Sequence, residues 1–192
     1  MKTKLISAML FLTLSVTMIK AQNSWTSGPY PEKFGSTLNL GIGIGYYGYI
    51  NSNTPVLHAD FEFDVARNLT VAPSISFYTY QNYYYWGNKN KVYRDYSYRQ
   101  TVIPVGVKVS YYFDELLKAS AKWDFYAAGS AGVAIRNTVW ESGYEGDVVL
   151  NNSSSNLYVD VHAGAEFHMT NKLGLFLDLS TGVSTFGLAI HL

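Results

Sequence analysis

His58, Asp60, Glu62 and Asp64 occupy every second position of a segment whose alternate residues, Leu57, Ala59, Phe61, Phe63 and Val65, are apolar. The same parity holds around Lys108, Arg136, Asp178 and His191, and through Asp160, His162, Glu166 and His168. An interval of two puts every ionisable group of a strand on one face. Six acids (Asp60, Glu62, Asp64, Asp160, Glu166 and Asp178) thus share an inner face with two permanent cations, Lys108 and Arg136, and with His58, His162, His168 and His191. Two kinds of chemistry fit that set. If the face is buried its charges must be paired, which gives a plugged network of ion pairs and hydrogen bonds. If it is wet, it gives a cation-favouring path in which imidazoles share protons with carboxylates. Asp64, Glu166, His168 and His191 fall near one rim, where solvent makes such groups ordinary. His162 and His168 are six residues apart on one strand face, about 20 Å along the strand, so no metal site is expected from that pair. No cofactor and no catalytic set is expected either.

The elements that must hold these groups are strands. Leu38, Leu40, Ile42, Ile44 and Tyr46 alternate with Asn39, Gly41, Gly43, Gly45 and Tyr47, and seven further alternating segments follow. They run near 57–65, 69–80, 99–113, 123–136, 157–169, 173–179 and 186–192. Period two over such lengths means strand. The connections at 65–68 and 170–172 are tight and that at 114–122 is moderate, whereas 81–98 and 137–156 are long. The long connections all fall on one side, as in a transmembrane barrel with short inner turns and long outer loops. An even strand count allows closure, which removes the sheet edges. The fold class predicted is all-β, an eight-stranded antiparallel up-and-down transmembrane β-barrel. Its interior is about filled by side chains.

The remaining composition agrees. Met1-Lys2-Thr3-Lys4 precedes an apolar run from Leu5 to Ile19, too short to span a bilayer as a helix, and the run ends at Lys20-Ala21. Residues 1–21 are expected to be a cleaved signal peptide, 22–35 a periplasmic lead and 36–192 the barrel domain. Removing three lysines from 14 basic residues leaves 11 against 14 acidic ones, and no basic patch suggests nucleic acid. There is no cysteine, which excludes a disulfide framework and a thiolate site. Seventeen Tyr, ten Phe, four Trp and sixteen Gly favour strands and close backbone contacts.

Aromatic residues crowd the connection after the third strand: Tyr83, Tyr84, Tyr85, Trp86, Tyr93 and Tyr96, with Gly87-Asn88 as a tip. Alternation on both sides of that tip predicts that strands three and four extend beyond the membrane as a hairpin. Dense Tyr and Trp fit a recognition surface and fit a membrane-interface girdle equally. The hairpin backbone offers an edge to which a partner could add a strand.

The stretches Gly164-Ala165-Glu166-Phe167, Thr170 to Leu179 and Gly187 to Leu192, with Ile103 to Val109 and Tyr126 to Gly132, resemble the closing hairpins and middle strands of OmpX-like and OmpW-like eight-stranded outer-membrane barrels. The resemblance covers nearly all of the chain after residue 21. It implies insertion in the outer membrane of a Gram-negative-type cell, contact with outer-membrane lipid, and a final strand read by the barrel-assembly machinery. It carries no catalytic residues. Lipid A-modifying enzymes also use eight-stranded barrels, with His and Ser near the outer rim; here His58, Asp60, Ser180 and Ser184 would be the candidates. Parity aims His58 into the lumen and no spacing is diagnostic, so no enzyme is expected. The expected role is structural or surface-interacting, through the aromatic hairpin and an extracellular protein or surface ligand. A narrow porin-like conduit for small or apolar solutes is the alternative. A monomer suffices, since eight strands close without an oligomer.

Overall fold

A period-two segment becomes a strand only when its backbone N–H and C=O groups find partners along both edges. The computed structural model describes residues 35–45, 54–113, 117, 119–120, 122–146 and 156–192. In these it forms β1 (Ser36–Gly45), β2 (Thr54–Ala66), β3 (Leu69–Asn88), β4 (Lys91–Tyr112), β5 (Trp123–Trp140), β6 (Asn156–Thr170), β7 (Leu173–Ser180) and β8 (Val183–His191). Each pairs antiparallel with its neighbours in sequence. β1 pairs back onto β8, from Thr37 opposite His191 to Gly45 opposite Val183, so the sheet closes. The expected signal peptide at 1–21, all but Gly35 of the lead at 22–35, and 147–155 of the third outer connection lie outside the described residues.

Parity sorts the side chains as expected. Leu40, Ile42, Leu57, Ile75, Phe77, Val105, Val107, Val109, Leu177 and Phe186 all stand on the outside, each at least 40% exposed. A belt of that size is too apolar for a water-facing surface. Inside, Val56, Tyr78, Val102, Ala134 and Val183 form one buried cluster with Tyr80 and Tyr158 packed against it, and Tyr112, Tyr126 and Ala128 form a second. Large rings fit inside because glycine lies opposite them. A Cβ on Gly164 would stand 2.1 Å from Tyr126 Cζ, so the Tyr126 ring takes the space that any other residue would fill. Gly164→Ala therefore overpacks the lumen, at a cost of about 1–3 kcal/mol.

The connections at the two ends differ. Arg67 and Asn68 make the β2–β3 turn, with Asn68 at φ 59°, a left-handed conformation that Asn tolerates. Its carbonyl accepts the Tyr112 N–H at 2.8 Å. At the far end β3 and β4 are 20 and 22 residues long. Twenty residues rise about 66 Å along the strand, or about 50 Å along the barrel axis at a typical tilt, twice the height of an apolar belt. The upper half of β3–β4 thus stands clear as the expected hairpin, turning at Lys89 and Asn90. β5 also extends further than its apolar alternation indicates, to Trp140 rather than Arg136.

Candidate functional site

Two parts of the barrel concentrate chemically capable residues, and the lumen is the first. Lys108 on β4 is 5% exposed. Its Nζ lies 3.2 Å from Asp60 on β2 and 3.6 Å from Asp178 on β7, and 5.4 Å from the centre of the Tyr126 ring. Asp60 also accepts from Asn39 at 2.9 Å and meets His58 at 3.0 Å. Asp178 accepts from Tyr126 and meets His162, both at 2.7 Å. Glu62 accepts from Thr70, from Tyr112 at 2.7 Å and from Asn39 at 3.3 Å. Asp160 accepts from Thr181 at 3.1 Å. These carboxylates are 3–5% exposed, and each is hydrogen-bonded, as buried charge requires.

Within this network Ser130, His162 and Asp178 line up at 2.9 and 2.7 Å, and Ser76, His58 and Asp60 at 2.8 and 3.0 Å. Each set has the order of a nucleophile, a base and an orienting carboxylate. The neighbouring hollow, lined by His58, Ser76, Ser130, His162, Lys108 and Asp178 among others, holds only about 30 Å³. That is far below the roughly 300 Å³ or more of an ordinary small-molecule pocket. The two sets brace the barrel wall as hydrogen-bonded chains.

The network departs from expectation at two positions. Asp64 is exposed and accepts the Gly35 N–H at 2.9 Å. Asp64 still pairs with Thr70, so its parity is inward, but it stands at the rim end of β2, just before the register shift between Asp64 and Ala66. Asp124, not expected, is 1% exposed and lies 2.6 Å from His168 Nε2. Its signal was present: flanked by the outward Trp123 and Phe125, it has inward parity on β5. Arg136 is half-buried, and among the described residues its Nε has no hydrogen-bond partner. Glu166, His168 and His191 gather at the rim with the short turns, Glu166 lying 2.8 Å from His191.

The hairpin is the second part. Its residues divide by parity into a packed and an open face. Tyr84, Trp86 and Tyr96 continue the lumen-side face and pack against Trp140 and Tyr144 of the β5 end, with ring centres 5.3–6.4 Å apart. Trp140 and Tyr144 stack at 4.0 Å. Tyr96, expected among the contact residues, is 3% exposed and serves instead as an internal anchor, with Arg94 4.1 Å over its ring. Glu141 ties the layer together, accepting from Arg94 and from the Ser97 N–H at 3.0 Å and from Ser97 Oγ at 3.1 Å. The Ser97 backbone N–H, then its hydroxyl, hold the Glu141 carboxyl below its ordinary pKa, with Arg94 adding to the effect. On the open face Tyr83, Tyr85 and Tyr93 are 64%, 65% and 59% exposed.

No protein-family model matches the chain, and a search of curated proteins found no match. Among solved structures, Neisserial surface protein A matches at TM-score 0.51 and 11% identity, over 82% of this chain and 96% of that one. Its fold is that of the small eight-stranded outer-membrane barrels. Two others match below a TM-score of 0.5: the Ail protein of Yersinia pestis, at 0.47, 12% identity and 83% and 98% coverage, and a de novo designed transmembrane β-barrel, at 0.45, 15% identity and 84% and 99% coverage. In a barrel of this type the long hairpins and the short turns mark opposite ends. The aromatic hairpin therefore crowns one end, and the Glu166, His168 and His191 cluster lies at the other.

Proposed function

We propose that this chain is an outer-membrane barrel with a plugged lumen, whose β3–β4 hairpin is a surface for binding an extracellular protein or surface ligand. The observation that carries this is the order of residues up the outer face of the hairpin. On β3 the apolar belt ends at Phe77, and on β4 at Ile103. A polar band follows, with Thr79 bonded to Thr101 at 3.1 Å and Gln81 opposite Arg99. Above it come Tyr83, Tyr85 and Tyr93. Tyr83 is six residues beyond Phe77, about 20 Å along the strand and about 15 Å along the barrel axis at the usual tilt. An interface girdle sits at the edge of the apolar belt, so this spacing favours recognition over anchoring. The packing of the other hairpin face on Trp140 and Tyr144 holds the open tyrosines in place, which lowers the entropy lost when a partner binds. From Gln81 to Asn88, the β3 edge away from β4 has no ladder partner among the described residues, which suits addition of a strand.

The conduit reading has the filled lumen against it. Eight strands leave room for little more than side chains, and the hollow beside Lys108 is about 30 Å³. The test is binding of labelled extracellular-matrix and serum proteins to cells displaying the wild-type chain or its Tyr83→Ser/Tyr85→Ser/Tyr93→Ser variant. Loss of even one anchoring ring worth about 2 kcal/mol weakens binding roughly thirtyfold. Undiminished binding by a variant that still shows heat-modifiable migration on gels would remove the hairpin from the role.

A further inference from the structure

We propose that Glu166, His168 and His191 form a binding site for a divalent first-row transition metal ion, of the zinc class, at the short-turn end of the barrel. A carboxylate oxygen of Glu166, a nitrogen of His168 and a nitrogen of His191 all lie within 4.8 Å of one another. They come from two strands that are not adjacent: Glu166 and His168 from β6, and His191 from β8 across β7. Gly174 on β7 makes the meeting feasible. A Cβ there would stand 2.0 Å from Glu166 Oε1, so the carboxylate crosses β7 through the space that a side chain would fill.

Both histidines are already oriented as metal ligands are. A ligating imidazole usually gives its second ring nitrogen to an oxygen partner, which fixes the tautomer and the ring plane. His168 Nε2 lies 2.6 Å from Asp124 Oδ2, leaving Nδ1 facing Glu166 at 3.7 Å. His191 Nδ1 lies 3.0 Å from Thr37 Oγ1, leaving Nε2 facing Glu166 at 2.8 Å. Those two distances bracket the spacing of about 3.3 Å that neighbouring ligands take around a tetrahedral zinc ion. His168 Nδ1 and His191 Nε2 thus converge on one carboxylate oxygen while Asp124 and Thr37 hold the other ring nitrogens.

Charge points the same way. Glu166 is 5% exposed, and among the described residues it has no Lys or Arg partner; its ion pairs are with the two imidazoles. A buried carboxylate needs positive charge beside it. Either imidazolium or a metal ion supplies it, and a divalent ion does so beside Glu166 with the imidazoles neutral, the form in which they ligate. Two imidazoles and one carboxylate suit zinc and its neighbours rather than calcium or magnesium. Three protein ligands leave a fourth position for water. His168 and His191 side chains are 22% and 11% exposed, which gives an ion a way in.

The full barrel, refolded in detergent micelles, is titrated with Co²⁺ and then with Zn²⁺ while visible d–d absorption is followed. The expected result is one Co²⁺ per chain in a nitrogen- and oxygen-ligated site, displaced by Zn²⁺. Glu166→Gln, His168→Gln and His191→Gln should each weaken binding at least tenfold. Asp124→Asn, which keeps all three ligands, should weaken it about 10–100-fold. His58→Gln, in mid-lumen, should leave it unchanged. Heat-modifiable migration checks the folding of each variant. A readout free of substitutions is the long-range imidazole ¹H–¹⁵N spectrum of the wild-type protein, in which Zn²⁺ should move the His168 and His191 signals and leave those of His58 and His162. Less than one equivalent bound, equal losses in His58→Gln, or a spectrum in which all four imidazoles or none respond would overturn the assignment.

Discussion

Lys108 is the sole Lys or Arg buried to this degree among the described residues, and two buried aspartates converge on it. Its energetic weight lies less in the attraction itself than in what its loss leaves behind. A buried ion pair gains little over an apolar replacement of the same shape, while removing one partner strands an uncompensated charge. Lys108→Met leaves Asp60 and Asp178 facing the same space and is expected to destabilise the barrel by about 3–5 kcal/mol. The triple change Lys108→Met/Asp60→Asn/Asp178→Asn should recover most of that loss, because no charge then remains to be solvated. Urea unfolding followed by gel migration measures both, and a Lys108→Met variant within about 1 kcal/mol of wild type would show that water reaches the aspartates. The hydroxyls of Ser130 and Ser76 raise a separate question at this scale. Each has its base and carboxylate in line, but a nucleophile needs a place for the reacting atom about 3 Å away. Fluorophosphonate probes are expected to leave both serines unlabelled in the folded protein, and stoichiometric labelling at either would reinstate a hydrolase reading.

At the scale of elements, the hairpin is held upright by one half-buried carboxylate and a layer of rings. Glu141 has its carboxyl held below the ordinary value, first by the Ser97 backbone N–H. A group depressed in the folded state contributes stability above its unfolded pKa, and that contribution is lost as pH falls through the lower, folded value. Acidification below the usual carboxylate range should therefore loosen the hairpin from the β5 end while leaving the barrel closed. The fluorescence of Trp86 and Trp140, which lie in the layer, should report it. Glu141→Gln should remove that transition, and an identical acid response in the variant would assign the loosening to another group. This layer marks the limit of what sequence alone conveyed. Period two was enough to place the strands and to sort Asp60, Lys108 and Asp178 inward, because a pleated strand alternates whatever its partners. The hairpin was legible for the same reason, but its tip lies at Lys89 and Asn90, two residues beyond the expected Gly87-Asn88, which are the last residues of β3. Tyr96 was placed on the contact surface wrongly because part of its cover, Tyr144, lies more than 40 residues away, and nothing local in the chain announces that neighbour. Asp64 was legible as a rim member of the inner set; its parity is inward, and the structure leaves it exposed because it lies two residues from the end of β2. The rim cluster of Glu166, His168 and His191 was missed as a unit because it forms across β7, past the missing side chain of Gly174.

For the molecule as a whole, closure and filling are coupled. Eight strands joined edge to edge leave no free edge around the barrel itself, below the protruding hairpin, and the diameter that closure imposes leaves an interior that side chains just occupy. Tyr78, Tyr112 and Tyr126 lie across that interior at 1–4% exposure, and Asn39, Asp60, Lys108, Asp178 and Tyr126 are tied to one another across it. An ion crossing the barrel would have to exchange its hydration for carboxylates already committed to Lys108, Tyr112, Tyr126 and the histidines. The hollow beside them is about 30 Å³, room for a water or two rather than a hydration shell. Reconstituted in planar bilayers, the protein is accordingly expected to show no unitary openings at moderate voltage. Lys108→Met/Tyr126→Ala, which removes a cation and a ring from one level of the lumen, should conduct and favour cations, because Asp60 and Asp178 then face an open space. Defined openings in the wild type, shifted in conductance by Asp60→Asn or Asp160→Asn, would mean that the network parts and that the barrel is a conduit. The coupling also bears on the hairpin: a lumen that stays closed leaves the surfaces at the two ends as the places where this molecule meets other molecules.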